Sequence, residues 1–252
     1  MSGDSSRGLI ILGALLALGL TAGAYLLGMQ AKQIGGGRTS ITVKGLAEKP
    51  VKADLAEWTL GVRVLGPTFA EALKNSRAAL PQLKQFLMAQ GFDAASLRDS
   101  PETVTEHFVQ EESARGNMRQ VQQGFEAQQN VVVTSKDLAR IEAAYKGIVQ
   151  FQADGHPVTY SRPLYLVSNL EDVKMSLIGA ATQNAKTRAQ EFAKNGNVQV
   201  GVMRSASQGA FYVLPEGGST DVDDYGYGGV YDKTTVDKKA RVVVTIEYGI
   251  ER

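Results

Sequence analysis

The chain has 252 residues, 27 basic against 26 acidic side chains and a formal net charge of +1, with 43% hydrophobic residues, enough for one substantial core. So even a balance carries no basic footprint for nucleic acid. The absence of cysteine excludes disulfides, thiolate-bound metals and thiol nucleophiles.

A short tail, residues 1–8, precedes an unbroken apolar run from Leu9 to Gly28 that holds no charge, Asn, Gln or His. At ~1.5 Å rise per residue, a helix over it just spans a hydrocarbon core of roughly 30 Å. The run reads as an uncleaved anchor through the lipid bilayer. A cleaved signal peptide is the alternative, with Leu9 to Leu20 as its apolar core and Ala22-Gly23-Ala24 as a small-x-small cleavage site. Against cleavage, the apolar run continues through Tyr25, Leu26, Leu27 and Gly28. Either reading puts the remainder outside the cytoplasm. Gly19 and Gly23 have the four-residue spacing that lets two membrane helices approach, although Gly is also common in any membrane span. Residues 29–38, with Gly35-Gly36-Gly37, form a flexible linker, and the folded domain runs from Thr39 to Arg252.

The domain opens with strands. Ile41 to Leu46 alternate and Glu48-Lys49-Pro50 breaks the run; then Ala56, Trp58, Leu60, Val62 and Val64 share one face, with Glu57, Thr59, Gly61 and Arg63 on the other. That period of two predicts a half-buried strand. Gly66-Pro67 ends it and opens a helix whose stripe is Phe69, Leu73, Ser76, Leu80, Leu83 and Leu87, closed by Gly91. Pro81 predicts a kink or a break inside that helix. Two polar strands follow, Glu102 to Glu112 and Met118 to Thr134, around a tight turn at Arg115-Gly116-Asn117. On the second, Val121, Phe125, Ala127, Val131 and Val133 cluster on one face and Gln120, Gln122, Gln128 and Asn130 on the other, a solvated or partner-binding surface.

Ser135 is positioned to cap a second helix with Leu138, Ile141, Tyr145 and Ile148 inward. Val158 to Val167 reads as a strand. Ser168-Asn169-Leu170-Glu171 matches a capping box for a third helix, with Ile178, Ala181, Ala185, Ala189 and Phe192 inward and an end near Asn195-Gly196. Val198 to Ser205 and Ala240 to Tyr248 read as strands, the latter burying Val242, Val244 and Ile246. Between them Pro215 to Lys233, rich in Gly, Asp and Tyr, reads as a long exposed loop. The expected class is α+β: a largely antiparallel sheet packed with about three helices, preceded by one N-terminal transmembrane helix.

Four stretches resemble the SIMPL-domain family, bacterial envelope proteins with a mammalian adaptor relative. They are Ile41 to Pro50, Ala53 to Trp58, Gly124 to Val133 with Asp137-Leu138, and the Ala-rich helix carrying Ala180, Ala181, Asn184, Ala185, Arg188, Ala189 and Ala193. The likeness departs at Gly45-Leu46-Ala47, where a second Gly is usual, and at Asn195-Gly196-Asn197. It implies an α+β fold and a periplasmic or membrane-anchored location, here a single pass through a bacterial inner membrane. It also implies a homo-oligomer, as in a ring- or channel-like relative, and a link to oxidative-stress defence. No catalytic residue set comes with it.

Candidate chemistry is sparse. The two histidines stand apart: His107 on a strand, and His156 in the turn Asp154-Gly155-His156-Pro157. Neither sits in a nucleophile elbow. Asp221, Asp223, Asp224 and Gly226, with Asp232 at the twelfth position, resemble a calcium loop. However, Tyr225 occupies a ligand position and the last residue is Asp where Glu is usual. Gly35-Gly36-Gly37 lacks the Lys-Ser or Lys-Thr of a phosphate cradle. Glu111-Glu112 and Asp223-Asp224 lie in turn or loop sequence, without the apolar surroundings that split an acid/base pair. No cofactor or metal is expected, and the chain reads as a non-enzyme. Tyr225, Tyr227 and Tyr231 on Gly-rich backbone are candidates for a partner or subunit contact. The rival readings are a small-ligand or peptide-binding module, with a pocket between sheet and helices and the lone Trp58, read as core, as a fluorescent probe, and a metal-dependent hydrolase.

Overall fold

The computed structural model describes residue 13 and residues 16–26, 39–112, 118–217 and 229–251. After an N-terminal helical segment the elements run β1 (Ser40–Lys52), β2 (Leu55–Gly66), α1 (Phe69–Ala89), a 3-10 turn (Ala94–Ser96), β3 (Leu97–Asp99), β4 (Thr103–Glu112) and β5 (Met118–Ser135). Then come α2 (Leu138–Ala153), β6 (Val158–Tyr160), β7 (Leu164–Leu166), α3 (Leu170–Asn195), β8 (Gln199–Pro215) and β9 (Asp237–Glu251). The class is α+β as expected, but the strands form two antiparallel sheets where one was expected. They divide into two compact units: Leu46–Ala181 with Gln208–Val243, and Met1–Gly45 with Thr182–Ser207 and Val244–Arg252.

The larger unit is built on a six-stranded sheet ordered β3-β5-β2-β6, with β4 also paired to β5 and β7 to β2. β2 and β5 pair from Ala56↔Ser135 to Gly66↔Phe125. The inward face of β2, Ala56, Trp58, Leu60 and Val62, meets Leu83 and Leu87 of α1 and Ile141, Ala144 and Ile148 of α2 in one buried cluster. The period-two reading of β2 therefore holds residue by residue. Thr68 caps α1, its hydroxyl accepting from the Glu71 N–H at 3.2 Å while bonding the Glu71 carboxylate at 3.0 Å.

The three-stranded sheet is ordered β1-β9-β8. Ile250 N–H donates to the Thr39 carbonyl at 3.0 Å and Lys52 pairs with Asp237, so β1 and β9 run antiparallel. Gly201 lies against Gly249, and Gly209 against Val243, so β8 does the same on the other side. Val242, Val244 and Ile246 are buried as expected. In the smaller unit Ala185 and Ala189 of α3 are buried, and Arg188 donates to the Lys44 carbonyl at 3.1 Å. The helix ends in a Schellman motif: Val198 N–H bonds Ala193 O, Asn197 N–H bonds Lys194 O, and Asn197 takes the left-handed position with φ 52.

Several local expectations are corrected. Pro81 does not break α1; it lies on the exposed face, where water can satisfy the carbonyl it leaves unpaired. The buried stripe of α1 is Ala72, Ser76, Ala79, Leu83 and Leu87, so Phe69 is exposed and Leu73 and Leu80 only half-buried. Asp137, not Ser135, caps α2, accepting from Arg140 N–H at 3.0 Å. Phe192 is exposed and Ala193 takes the inward place. Val158 to Val167 splits into β6 and β7, because Pro163 cannot donate to the ladder. No helix among the described residues is long and apolar enough to cross a membrane. Of the expected anchor, residues 13 and 16–26 are helical; the rest of residues 9–28, the linker and the turn at Arg115-Gly116-Asn117 lie outside the described residues.

Candidate functional site

The amide-rich face predicted on β5 is divided by a β-bulge. Pairing with β4 passes from Glu106↔Phe125 to Phe108↔Gln122, so β5 spends one extra residue. Gly124 absorbs it at φ 107, where an added Cβ would lie 2.5 Å from the Gly66 carbonyl oxygen. One extra residue exchanges the two faces of everything beyond it. Gln120 and Gln122 therefore share the side of Phe125 and Ala127, whereas Gln128 and Asn130 lie on the opposite side. Gln128 and Asn130 do keep company, bonded side chain to side chain at 3.3 Å, with Asn130 Oδ1 lying over Gly61. Beyond Gly66↔Phe125 β2 has ended, and β4 and β5 continue as a two-stranded arm to Glu112↔Met118. On one side of the arm stand Phe108, 48% exposed, and Met118, 67% exposed, beside Gln120 and Gln122.

The described end of the predicted loop is bonded to β8. Val213 N–H bonds Val230 O at 2.7 Å and Asp232 N–H bonds Val213 O at 2.8 Å. Tyr231 is not a free contact residue, since its hydroxyl accepts the Val167 N–H at 2.8 Å. Tyr225, Tyr227, Asp221, Asp223, Asp224 and Gly226 lie outside the described residues. Asp232 is engaged elsewhere than in a calcium loop: Lys238, fully buried, donates to its Oδ2 at 3.0 Å and to its carbonyl at 2.7 Å. Thr234 donates to Oδ1 through N–H at 2.8 Å and hydroxyl at 2.7 Å, and the Thr235 hydroxyl donates to Oδ2. Burial alone would raise the Asp232 pKa, but the bonds from Thr235, Thr234 and Lys238 outweigh it and hold the carboxyl well below the usual range.

Ser168 also departs from its predicted role. Its N–H, at 2.7 Å, and its hydroxyl both donate to the Asp54 carboxylate at the start of β2, so the helix opens at Asn169, whose carbonyl accepts from Val173 N–H. Those two bonds lower the Asp54 pKa.

On Tyr145, the ring that packs against buried Trp58, opens a cleft of about 420 Å³. Glu142, Tyr145 and Lys146 of α2 form one wall; Arg162 and Pro163, Tyr165 of β7 and Thr234 form the rest. The Trp58 indole N–H donates to the Ser161 carbonyl at 2.9 Å, and Tyr145 stands edge-on to Trp58 at 6.0 Å and to Tyr160 at 5.9 Å. Burial, then the nearby Glu142, raises the Tyr165 pKa, so its phenol remains protonated. Sequence reasoning missed this site because its residues come from three separated segments and form no contiguous motif. The signal the sequence does carry is an inward-facing Trp58 and tyrosines at 145, 160 and 165.

His156 stacks on Phe151 with ring centroids 3.8 Å apart and bonds Gln82 at 2.9 Å, and His107 stands 4.0 Å from Glu126. Glu111 pairs with Arg119 at 3.6 Å. Among the described residues no three acidic or histidine side chains gather as a metal site.

A search of curated proteins finds no match. The family model for SIMPL, described as a protein of unknown function (DUF541), matches residues 41–248, which take in both sheets and α1 to α3. The chain belongs to the SIMPL family.

Proposed function

We propose that this chain is a membrane-anchored bacterial envelope protein whose exported domain acts by self-association, without catalysis, in tolerance of oxidative stress. The observation that carries the reading is the β4–β5 arm. A two-stranded hairpin is marginal in water by itself, yet this one extends past the sheet with Phe108 and Met118 exposed and one edge of β4 unpaired among the described residues. Such an edge is a template for a second chain. The anchor is supported by the helical residues 16–26, where Leu16, Leu18, Leu20, Tyr25 and Leu26 are all exposed, a pattern suited to lipid. The engagement of Asp232 by Lys238, and of His156 by Phe151 and Gln82, favours structural roles for the groups that chemistry would need. The stress role follows from the family resemblance.

Light scattering of the detergent-extracted full chain tests association. The wild type is expected to run as a defined oligomer, and the Phe108→Asp/Met118→Asp double variant as a smaller species with an unchanged melting temperature. A wild type that is monomeric at micromolar concentration overturns the reading. A phosphatase fused to the C-terminus should be active, as export requires.

A further inference from the structure

The cleft on Tyr145 is independent of the arm, and its chemistry is specific enough to name a ligand class. Its charged wall holds one acid and two bases. Glu142 is matched by Lys146 one helical turn on, at 3.2 Å. Arg162 is paired with no carboxylate among the described residues. One positive charge is thus left over, on a planar fork suited to gripping a carboxylate through two parallel bonds. The remaining surface is Tyr145, Tyr165 and Pro163, flat and largely apolar.

The position of Arg162 is fixed by its neighbour. Ser161 accepts from the Trp58 indole through its carbonyl at 2.9 Å, and its N–H and hydroxyl both donate to the Thr59 carbonyl, at 3.0 and 3.2 Å. The loop between β6 and β7 is thereby tied to β2, so the cation is presented from prepared backbone, and ligand binding need not order it. Thr234 already donates its hydroxyl hydrogen to Asp232, so towards the cleft it offers only an acceptor.

We propose that this cleft binds a small aromatic carboxylate, with the acid group on Arg162, Lys146 alongside it, and the ring against Tyr145, Tyr165 and Pro163. A ligand hydroxyl opposite the acid group would find the Thr234 oxygen as its acceptor.

The chain has one tryptophan, so biosynthetic 5-fluorotryptophan gives a single fluorine resonance one hydrogen bond away from the residue preceding Arg162. Benzoate titrated into the labelled, detergent-extracted full chain should shift that line saturably, with a dissociation constant on the order of a millimolar for so small a probe. Acetate, which lacks the ring, and benzyl alcohol, which lacks the charge, should each require at least tenfold higher concentration. Arg162→Gln should weaken benzoate at least tenfold while leaving the unliganded line and the melting temperature in place, because the side chain is exposed. The same benzoate response in the arm variant Phe108→Asp separates this site from self-association. No saturable shift, or one that Arg162→Gln leaves intact, overturns the proposal. Acetate acting as well as benzoate overturns the aromatic class.

Discussion

Lys238→Met removes one member of a charge pair that has almost no access to water. Lys238 is 0% and the Asp232 side chain 8% exposed, and the ammonium supplies two of the bonds around that residue, at 3.0 Å to the carboxylate and 2.7 Å to the carbonyl. The truncated side chain leaves a carboxylate that still holds its Thr234 and Thr235 donors but has lost its counter-charge. Breaking one side of such a pair costs about 3–5 kcal/mol. In a domain of this size each kcal/mol moves the melting temperature about 2–4 °C, so a fall of roughly 6–20 °C is expected. Urea unfolding of wild type, Lys238→Met, Asp232→Asn and the double variant gives the coupling directly. The double variant should be less destabilised than the sum of the singles by at least about 2 kcal/mol, since neither charge is then orphaned. A single-variant loss below about 1 kcal/mol, or strict additivity, would refute the reasoning.

Proton linkage adds a signature. The folded-state pKa of Asp232 is depressed, so its contribution is full above the unfolded carboxylate value of about 3.9 and is lost as pH falls from there towards the folded value. The stability gap between wild type and Asp232→Asn should hold at neutral pH and narrow only below about pH 4.

Ser76→Ala should raise stability by about 1 kcal/mol in urea unfolding, because the buried Ser76 hydroxyl has no hydrogen-bond partner among the described residues and alanine is the better helix former. Asn197→Ala should cost about 1–2 kcal/mol and Asn197→Gly close to nothing, since the Schellman position at φ 52 penalises a β-carbon without a local polar bond. Gly124→Ala should cost about 2 kcal/mol or more and raise hydrogen exchange along β4 and β5, because its φ and its approach to Gly66 both exclude a side chain.

Where one local pattern decided the outcome, the sequence was legible. The alternation of β2 and of β9 placed Trp58, Leu60, Val242 and Ile246 inside, because period two leaves no other way to bury that set. Helix faces were read less well. Leu73 and Leu80 outrank Ala72 and Ala79 in hydrophobicity, yet close packing of α1 on β2 and β5 chose the small residues. Partners distant in sequence were invisible: nothing near Ser168 announces Asp54, and nothing in Asp232 announces Lys238 before the backbone brings them together. The cleft was illegible for the same reason, although the burial of Trp58 that underlies it was not.

The bulge at Gly124 has the largest consequence for how the chain works. Strict alternation from Phe125 would put Val121 with the core residues and Met118 opposite them. The inserted residue reverses this and brings Met118 to the side already held by Phe108 and by Phe125, whose ring meets Phe69 of α1 edge-on at 6.1 Å. Phe69 is itself exposed, so a mixed strip runs from the start of α1 along the arm to Met118, with Phe108 and Met118 set among Gln110, Gln120 and Gln122. The opposite side of the arm carries Val109, Val121 and the Glu111–Arg119 pair. If copies of the chain meet through the strip, Phe108→Asp should shift light scattering towards smaller species at least tenfold further along a dilution series than Val121→Asp does. Both positions lie on the same arm, pair within the same ladder and receive the same charge, so a difference in strand stability does not explain such a contrast. Equal effects would mean that the edge of the arm, and not its face, makes the contact; a larger effect at Val121 would place the meeting surface on the side with Gln128 and Asn130.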